Sequence, residues 1–433
     1  MQNLSKRVLI ITYYWPPSAG SGVQRWLKFA KYIPEYGWEP LIFTPENPDF
    51  ELKDESLGKE INPQMEVLKF PIWEPYQLFR KLKKEKIGDT AKVLEKKQKS
   101  WADHLGIWAR ANLLVPDPRR FWIKPSAAFL LDLLQKGQFQ AIITTGPPHS
   151  MHLIGLELKR KTGIPWLADF RDPWSKWEFL DTLPMLSWIR KIHQKMELSI
   201  LKEADTVTTI SPTFQQEFEA IHPRKIELLT NGFDPADLPA DFWTNTVKSD
   251  SLEILYTGVI DAIRNPIPFL SSLKSVFEQS SKNVNMRFVG KVSEPVQAFI
   301  EADLWLKTHV KLEGYVSHEE VFAFYKKANL LLLILTDTKN AQGNIPGKIF
   351  EYMATGRPIL ALGDPKGDAA KILEKSQSGK VFSHLDLEGI KDFLENFENK
   401  AIESRSLFIE QYSRKALSKT LAQLLDAQTD TIS

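Results

Sequence analysis

NIPGKIFEYMATGRPILAL, Asn344–Leu362, is the most informative stretch of the chain. It opens on a Gly/Pro loop, takes up a short helix pattern and ends in an apolar strand. Just upstream, ANLLLLILT (Ala328–Thr336) has the length and unbroken apolar character of a strand covered on both faces. Strand, glycine loop, helix and strand therefore follow one another. Glu351 falls in the first turn of the helix, where the helix dipole favours a carboxylate. Lys348, one turn earlier, is disfavoured by the same rule unless an anion is bound there. A lysine beside a glycine loop suggests a phosphate, and a glutamate one turn on can accept two hydroxyl hydrogen bonds, as from a ribose diol. Together they read as a site for a nucleoside diphosphate.

The same alternation extends in both directions. Upstream, RVLIITYY, EPLIFTP, AIITTGPP, PWLADFRD and DTVTTISP read as strands, with helix patterns such as GVQRWLKFAKYIPEYG and SMHLIGLELKRKTG between them. IELLTNGFD closes this half. From Pro235 to Asp250 the rhythm lapses into a polar linker. It resumes with LEILYTGV, NMRFVG, VKLEGYV, HEEVFAFYKKA and the opening stretch. The end of the chain, ESRSLFIEQYSRKALSKTLAQLLDAQ, has helical periodicity and no strand after it. Strand–helix alternation on this scale predicts an α/β protein with parallel sheets covered by helices, arranged as two domains in tandem.

Composition narrows the class. The chain has 433 residues, 43% apolar and 25% charged, the balance of a soluble globular protein. A net charge of +2 gives no general attraction to nucleic acid. Cysteine is absent, which removes disulfides and thiolate chemistry and fits a reducing cytosol. The opening MQNLSKRVLIITYYW lacks the apolar core and cleavage site of a signal peptide, and no run reaches the ~18–20 apolar residues of a spanning helix. A cytoplasmic location is the expectation. One insert stands apart: Tyr76–Trp101 is rich in lysine and has nearby tryptophans at Trp73, Trp101 and Trp108. It reads either as a solvated helical hairpin or as a basic surface meeting anionic lipids at the inner face of a membrane.

Ligands of doubly wound sheets bind beyond the carboxyl ends of the strands, so the loops that follow strands hold the candidates. After the first strand, WPPSAGSGVQR carries Gly20 and Gly22, which permit close backbone approach next to a helix N-terminus. It is not a dinucleotide fingerprint, because Arg25 occupies the third glycine position. TTGPPHS presents His149, with His152 one helical turn on. ADFRDPW puts Asp169, Arg171 and Asp172 at a strand end, either as an internal ion pair or as ligand contacts. YTGVIDAIRNP supplies Gly258 and Arg264, the latter a candidate phosphate clamp. GNIPGKI is one residue short of a P-loop between its glycines, and Ile349 replaces the metal-binding hydroxyl residue.

Taken together, SGVQRWLKFAKYIPEYGWEPLIFT, TTGPPHSMHLIG, ADFRDPW, LLTNGFD, LYTGVI and GKIFEYMATGRPILAL resemble a retaining glycosyltransferase of family 4 over essentially the whole length. The resemblance implies the GT-B fold: two Rossmann-like domains facing a central cleft. It implies an acceptor domain over residues 1–235 with a helical insert near 76–101, a nucleotide-sugar domain over 250–405, and a helix over 406–428 crossing back to the first domain. In that family the last Glu of an E-x7-E motif binds the nucleotide ribose, which Glu351 matches. The first Glu falls on Gly343, a departure for which Gln342 or Asn344 could substitute. The family histidine that faces the donor sugar falls on Arg171, beside Asp172. The family's diphosphate Arg falls on Val259 and its Lys near Arg264–Asn265, so that Arg264 and Lys348 replace the usual basic pair. The implied catalytic set is Arg171, Asp172 and His149. The implied donor set is Gly20, Gly22, Gly258, Arg264, Gly343, Asn344, Lys348 and Glu351.

The implied reaction moves a sugar from a nucleotide diphosphate donor to an acceptor, with retention of configuration, in cell-surface polysaccharide or glycolipid synthesis. The partners are then the donor, a lipid-linked or polysaccharide acceptor and an anionic membrane. No D-x-D occurs, so neither a metal nor another cofactor is expected. The alternatives are a nucleotide-sugar epimerase of the same architecture and a non-catalytic nucleotide-sugar-binding protein.

Overall fold

The computed structural model describes residues 6–50, 53–75, 101–242, 251–261, 263–398 and 406–430. They form two compact units, Met1–Thr230 with Lys415–Ser433, and Asn231–Arg414.

The first unit is built on a seven-stranded parallel sheet. Its strands are β1 (Lys6–Ile11), β2 (Trp38–Pro45), β3 (Glu66–Phe70), β4 (Ala141–Gly146), β5 (Trp166–Phe170), β6 (Thr206–Thr209) and β7 (Glu227–Leu228), in the order β3-β2-β1-β4-β5-β6-β7. Register is set by apolar neighbours: Ile10 pairs with Ile42 on one side and Ile143 on the other. Alternate β1 residues feed opposite faces, Leu9 and Ile11 one core, Val8 and Ile10 the other. Such strands read as continuous apolar runs because both faces are dry. The helix Ser21–Tyr32 tightens into a 3-10 turn at Ile33–Tyr36 and stops at Gly37, whose φ of 84° needs a glycine. The final helix, Arg414–Asp430, belongs mainly to this unit. Leu417, Leu421 and Leu425, one turn apart, pack with Val8, Trp26 and Trp38. Asp426 accepts from Lys6 Nζ and Trp38 Nε1, both at 3.0 Å.

The second unit carries a six-stranded parallel sheet: β8 (Ser251–Thr257), β9 (Asn283–Val289), β10 (Val310–Gly314), β11 (Leu330–Ile334), β12 (Ile359–Leu362) and β13 (Gly379–Phe382), in the order β10-β9-β8-β11-β12-β13. Leu331 and Leu333 face one core layer; Leu330, Leu332 and Ile334 face the other. That two-sided burial explains the unbroken run ANLLLLILT. Buried Arg357 closes the end of the helix His318–Lys327, donating to Lys326 O at 2.7 Å and Ala328 O at 2.6 Å.

The division between units precedes the linker expected from the sequence. Phe233, Leu238 and Phe242 pack into the second unit's core, and Phe233 N–H donates to Tyr412 O at 3.1 Å. Polar composition hid these three apolar anchors. Of the insert Tyr76–Trp101, only Trp101 lies within the described residues; it opens a helix, Trp101–Leu113, and is 79% exposed. No helix among the described residues is long and apolar enough to cross a membrane.

Candidate functional site

In the second unit the sheet reverses its winding between β8 and β11, and ligand sites of such sheets lie beyond the carboxyl ends of the strands at that point. β8 hands over to Gly258, held at φ 116°. A Cβ there would collide with Nζ of Lys348, and a Cβ on Gly290, at φ 130°, would collide with the Gly258 carbonyl. Glycine at both positions lets two backbones and a lysine share one small space. Lys348 opens the helix Lys348–Ala354. Its Nζ donates to Thr257 O at 2.6 Å and to Tyr256 Oη at 3.2 Å, and lies 4.4 Å over the Tyr256 ring. Burial, helped by the nearby Arg264 guanidinium, pushes its ammonium down to about 7, against the pull of Glu351 and Asp261. Arg264 is itself paired with Asp261 at 2.5 Å. Glu351, in the first turn of the same helix, accepts from Tyr325 Oη at 3.3 Å. A weakly held proton on a lysine, a second cation and a carboxylate thus sit together, able to hold an anion and a hydroxyl pair.

Gly343 and Asn344 lie in the loop that leads into the helix Lys348–Ala354. Gly343 is buried in a 3-10 turn, Ala341–Gly343, and its N–H is already taken by Asn340 O at 3.2 Å. Asn344 Nδ2 donates to Thr336 Oγ1 at 3.2 Å.

In the first unit the winding reverses between β1 and β4, and three loops converge there. Gly20, at φ 101°, precedes the helix Ser21–Tyr32, and its carbonyl accepts from Val23 N–H at 3.1 Å. A Cβ on Gly22 would strike the Arg171 guanidinium. Arg171, just past β5, donates to Pro147 O at 2.7 Å and Gly146 O at 3.3 Å, and lies 6.0 Å over the Tyr14 ring. Among the described residues no carboxylate is within ion-pair distance of it. Asp172 beside it is raised in pKa by burial, opposed by Arg171 and reinforced by Asp169. His149 stacks on Trp174, ring centroids 4.6 Å apart and 5° from parallel. Burial, with His152, His193 and Arg171 around it, keeps its imidazole neutral far below the usual range, and both ring nitrogens are buried and unbonded. His152 donates or accepts at Thr144 Oγ1, 2.8 Å away, and burial takes it down to about 3.

Glycosyl transferase models match both units: "Glycosyl transferase 4-like domain" over residues 20–232 and "Glycosyl transferases group 1" over residues 251–404. The chain is a glycosyltransferase with the GT-B fold. Solved structures agree on that fold. The glycosyltransferase from Rickettsia africae ESF-5 aligns at TM-score 0.62 with 14% identity, covering 98% of each chain. Anabaena Alr3699/HepE, solved with UDP and glucose, aligns at 0.60 with 14% identity over 97% of this chain and 99% of its own. Sucrose-phosphate synthase from Thermosynechococcus elongatus aligns at 0.60 with 14% identity over 99% and 97%. No curated protein matches in sequence.

The candidate residues of this glycosyltransferase therefore form two groups. Gly258, Arg264, Gly343, Asn344, Lys348 and Glu351 belong to the second unit; Gly20, Gly22, His149, Arg171 and Asp172 belong to the first. Asp169 is a structural ion: fully buried, it receives Arg25 through two bonds of 2.7 and 3.0 Å, and also Trp26 and Thr208. Burial pushes its carboxyl up, but Arg25 and these bonds outweigh that and hold it low. Arg25 further ties down the carbonyls of Leu229 and Thr230. Sequence reading missed this pairing, and missed Tyr256, Tyr325 and Tyr352 beneath Lys348 and Glu351. Tyrosines at strand ends and on helix faces look like ordinary core, and only their hydroxyl partners separate them from it.

Proposed function

We propose that this glycosyltransferase moves a sugar from a nucleotide diphosphate donor to an acceptor hydroxyl with retention of anomeric configuration, without a metal. The observation that carries the reading is the convergence of Lys348, Arg264 and Gly258 at the end of β8, with Glu351 one turn along the same helix. The Anabaena protein of the same fold, solved with UDP and glucose, supports a nucleotide-sugar donor. In the reaction the bond from the sugar C1 to the phosphate oxygen breaks, its electron pair staying on the diphosphate. The acceptor oxygen bonds to C1 on the same face and gives its proton to the departing diphosphate. The protein's part is to hold both substrates and stabilise the charge that develops on the diphosphate. Lys348 and Arg264 do the latter, and Glu351 grips the ribose. The first unit takes the acceptor, with Arg171 and Asp172 at its strand ends. His149, neutral at working pH and with both ring nitrogens buried, is not an acid there.

Incubation with UDP-glucose, UDP-galactose and GDP-mannose in EDTA, with and without polyprenyl-linked sugars, tests this. Diphosphate release that needs acceptor, and a product with the donor's anomeric configuration by NMR, is the expected result. Turnover without acceptor that yields an epimerised sugar identifies an epimerase; binding without turnover identifies a non-catalytic protein; a requirement for divalent cation removes the metal-free step. The lysine-rich stretch Tyr76–Trp101, bordering the exposed Trp101, supports a cytoplasmic enzyme that visits anionic membranes for a lipid-linked acceptor in cell-surface glycan synthesis. Sedimentation with anionic but not neutral vesicles, lost at high salt and on changing Lys81, Lys83, Lys84 and Lys86 to Gln, is expected; no binding at low salt overturns it.

A further inference from the structure

Two sets of hydrogen bonds at the end of β8, around Thr257 and Tyr256, hold the two charged groups of the second unit's site. Their direction follows from donor and acceptor counting. The Glu351 carboxylate can only accept, so Tyr325 donates to it at 3.3 Å. The Tyr325 oxygen must then accept from Thr257 Oγ1, 3.1 Å away. Having donated, Thr257 Oγ1 accepts from Tyr352 Oη at 3.2 Å, and Tyr352 in turn accepts the Thr257 backbone N–H at 2.9 Å. Every hydroxyl donates once, and the chain points at Glu351. Tyr325 is the one hydrogen-bond partner of the Glu351 carboxylate among the described residues. The second set is shorter. Tyr256 donates to Val259 O at 3.1 Å, which turns its lone pairs toward Lys348 Nζ; the Thr257 carbonyl is that ammonium's other partner. Tyr256, Tyr325 and Tyr352 are each 0% exposed.

We propose that Tyr325 and Tyr256 are the positioning residues of the donor site: Tyr325, backed by Thr257 and Tyr352, sets Glu351 for the ribose diol, and Tyr256 sets Lys348 for the diphosphate. The proposal rests on the donor reading above. A carboxylate and an ammonium on flexible stems lose rotamer freedom when they grip a ligand, and a fixed phenol makes that loss before the ligand arrives. The two sets divide the work. The side chain of Thr257 serves only the ribose end, and its carbonyl serves only the phosphate end.

The test is calorimetric titration of the full chain with UDP, GDP and ADP, followed by the tightest of these and its nucleoside on variants. Glu351→Ala and Lys348→Met test the site itself. Tyr325→Phe and Thr257→Val, both nearly isosteric, should weaken nucleoside and nucleoside diphosphate alike by about three- to tenfold, and by less than about twofold when Glu351→Ala is already present. Tyr256→Phe should weaken the diphosphate by a similar factor, leave the nucleoside unchanged, and add nothing to Lys348→Met. Melting temperatures show whether each variant is folded. If Glu351→Ala and Lys348→Met leave binding untouched, the donor reading falls. If those two weaken binding while the tyrosine variants are neutral, or add in full to them, the positioning role falls and the tyrosines are core.

Discussion

Lys348 would be an unremarkable surface lysine but for what lies under it. Its ammonium rests on the face of Tyr256 and is depressed to about 7 by burial and by Arg264, so it is only partly protonated near neutral pH when the site is empty. A bound diphosphate favours the charged form and draws a proton in. The sign follows: affinity for a nucleoside diphosphate should fall as pH rises above about 7, by at most about tenfold per unit between the free and bound pKa values. The nucleoside alone should show no such slope, and Lys348→Met should abolish it for the diphosphate. Calorimetry between pH 7 and 9 in buffers of differing ionisation enthalpy measures both the slope and the proton uptake; a flat profile contradicts the assignment. Lys348 and Glu351 could be read in the sequence because they are adjacent on one helix turn beside a glycine loop. Asp169 could not be placed, since its strand-end position suits an internal ion and a ligand contact equally. The choice was made by Arg25, a residue from a different element.

Among elements, the tightest constraint is the crossing of two strand ends. Gly258 and Gly290 meet back to back after β8 and β9, each at positive φ, and Gly290 N–H donates to Gly314 O at 2.6 Å. Replacing Gly290 with Ala adds backbone strain and a clash with the Gly258 carbonyl, a cost of roughly 1–3 kcal/mol. Because Gly258 abuts Lys348, diphosphate affinity should fall with stability; denaturant unfolding and titration of Gly290→Ala check both. A substitution without effect on either would mean the crossing is looser than drawn. Central strands β1, β4, β5, β8 and β11 were legible as apolar runs. β3 (EVLKF) and β13 (GKVF) were not, and both are edge strands with partly exposed side chains. An edge lacks a neighbour on one side, so the burial that writes an apolar run into the sequence is incomplete there.

The whole molecule divides its labour unevenly along the chain. The helix Arg414–Asp430 follows the second unit in sequence, yet its leucines finish the first unit's core. Leu421→Ala removes a fully buried side chain and should destabilise the first unit by roughly 2–5 kcal/mol, while the proposed donor residues of the second unit, within Asn231–Arg414, should bind nucleoside diphosphate as before. Thermal unfolding with and without the diphosphate separates the two; loss of affinity in the folded variant would show that the units are not independent in this respect. Sequence alone determined the α/β class, the two-domain plan, and the placement of Lys348 and Glu351 in the first turn of one helix beside a glycine loop. Each follows from local properties: apolar runs of strand length, helix periodicity, and charge beside a glycine loop. Tertiary structure alone decided that Asp169 is an internal ion held by Arg25, that the segment after Thr230 belongs to the second core, and that buried Tyr256 and Tyr325 meet Lys348 and Glu351, with Tyr352 joined to them through Thr257. The physical reason is common to all three. A hydrogen bond or an ion pair between distant elements depends on where a parallel sheet brings strand ends together, and no local pattern of residue types records that meeting.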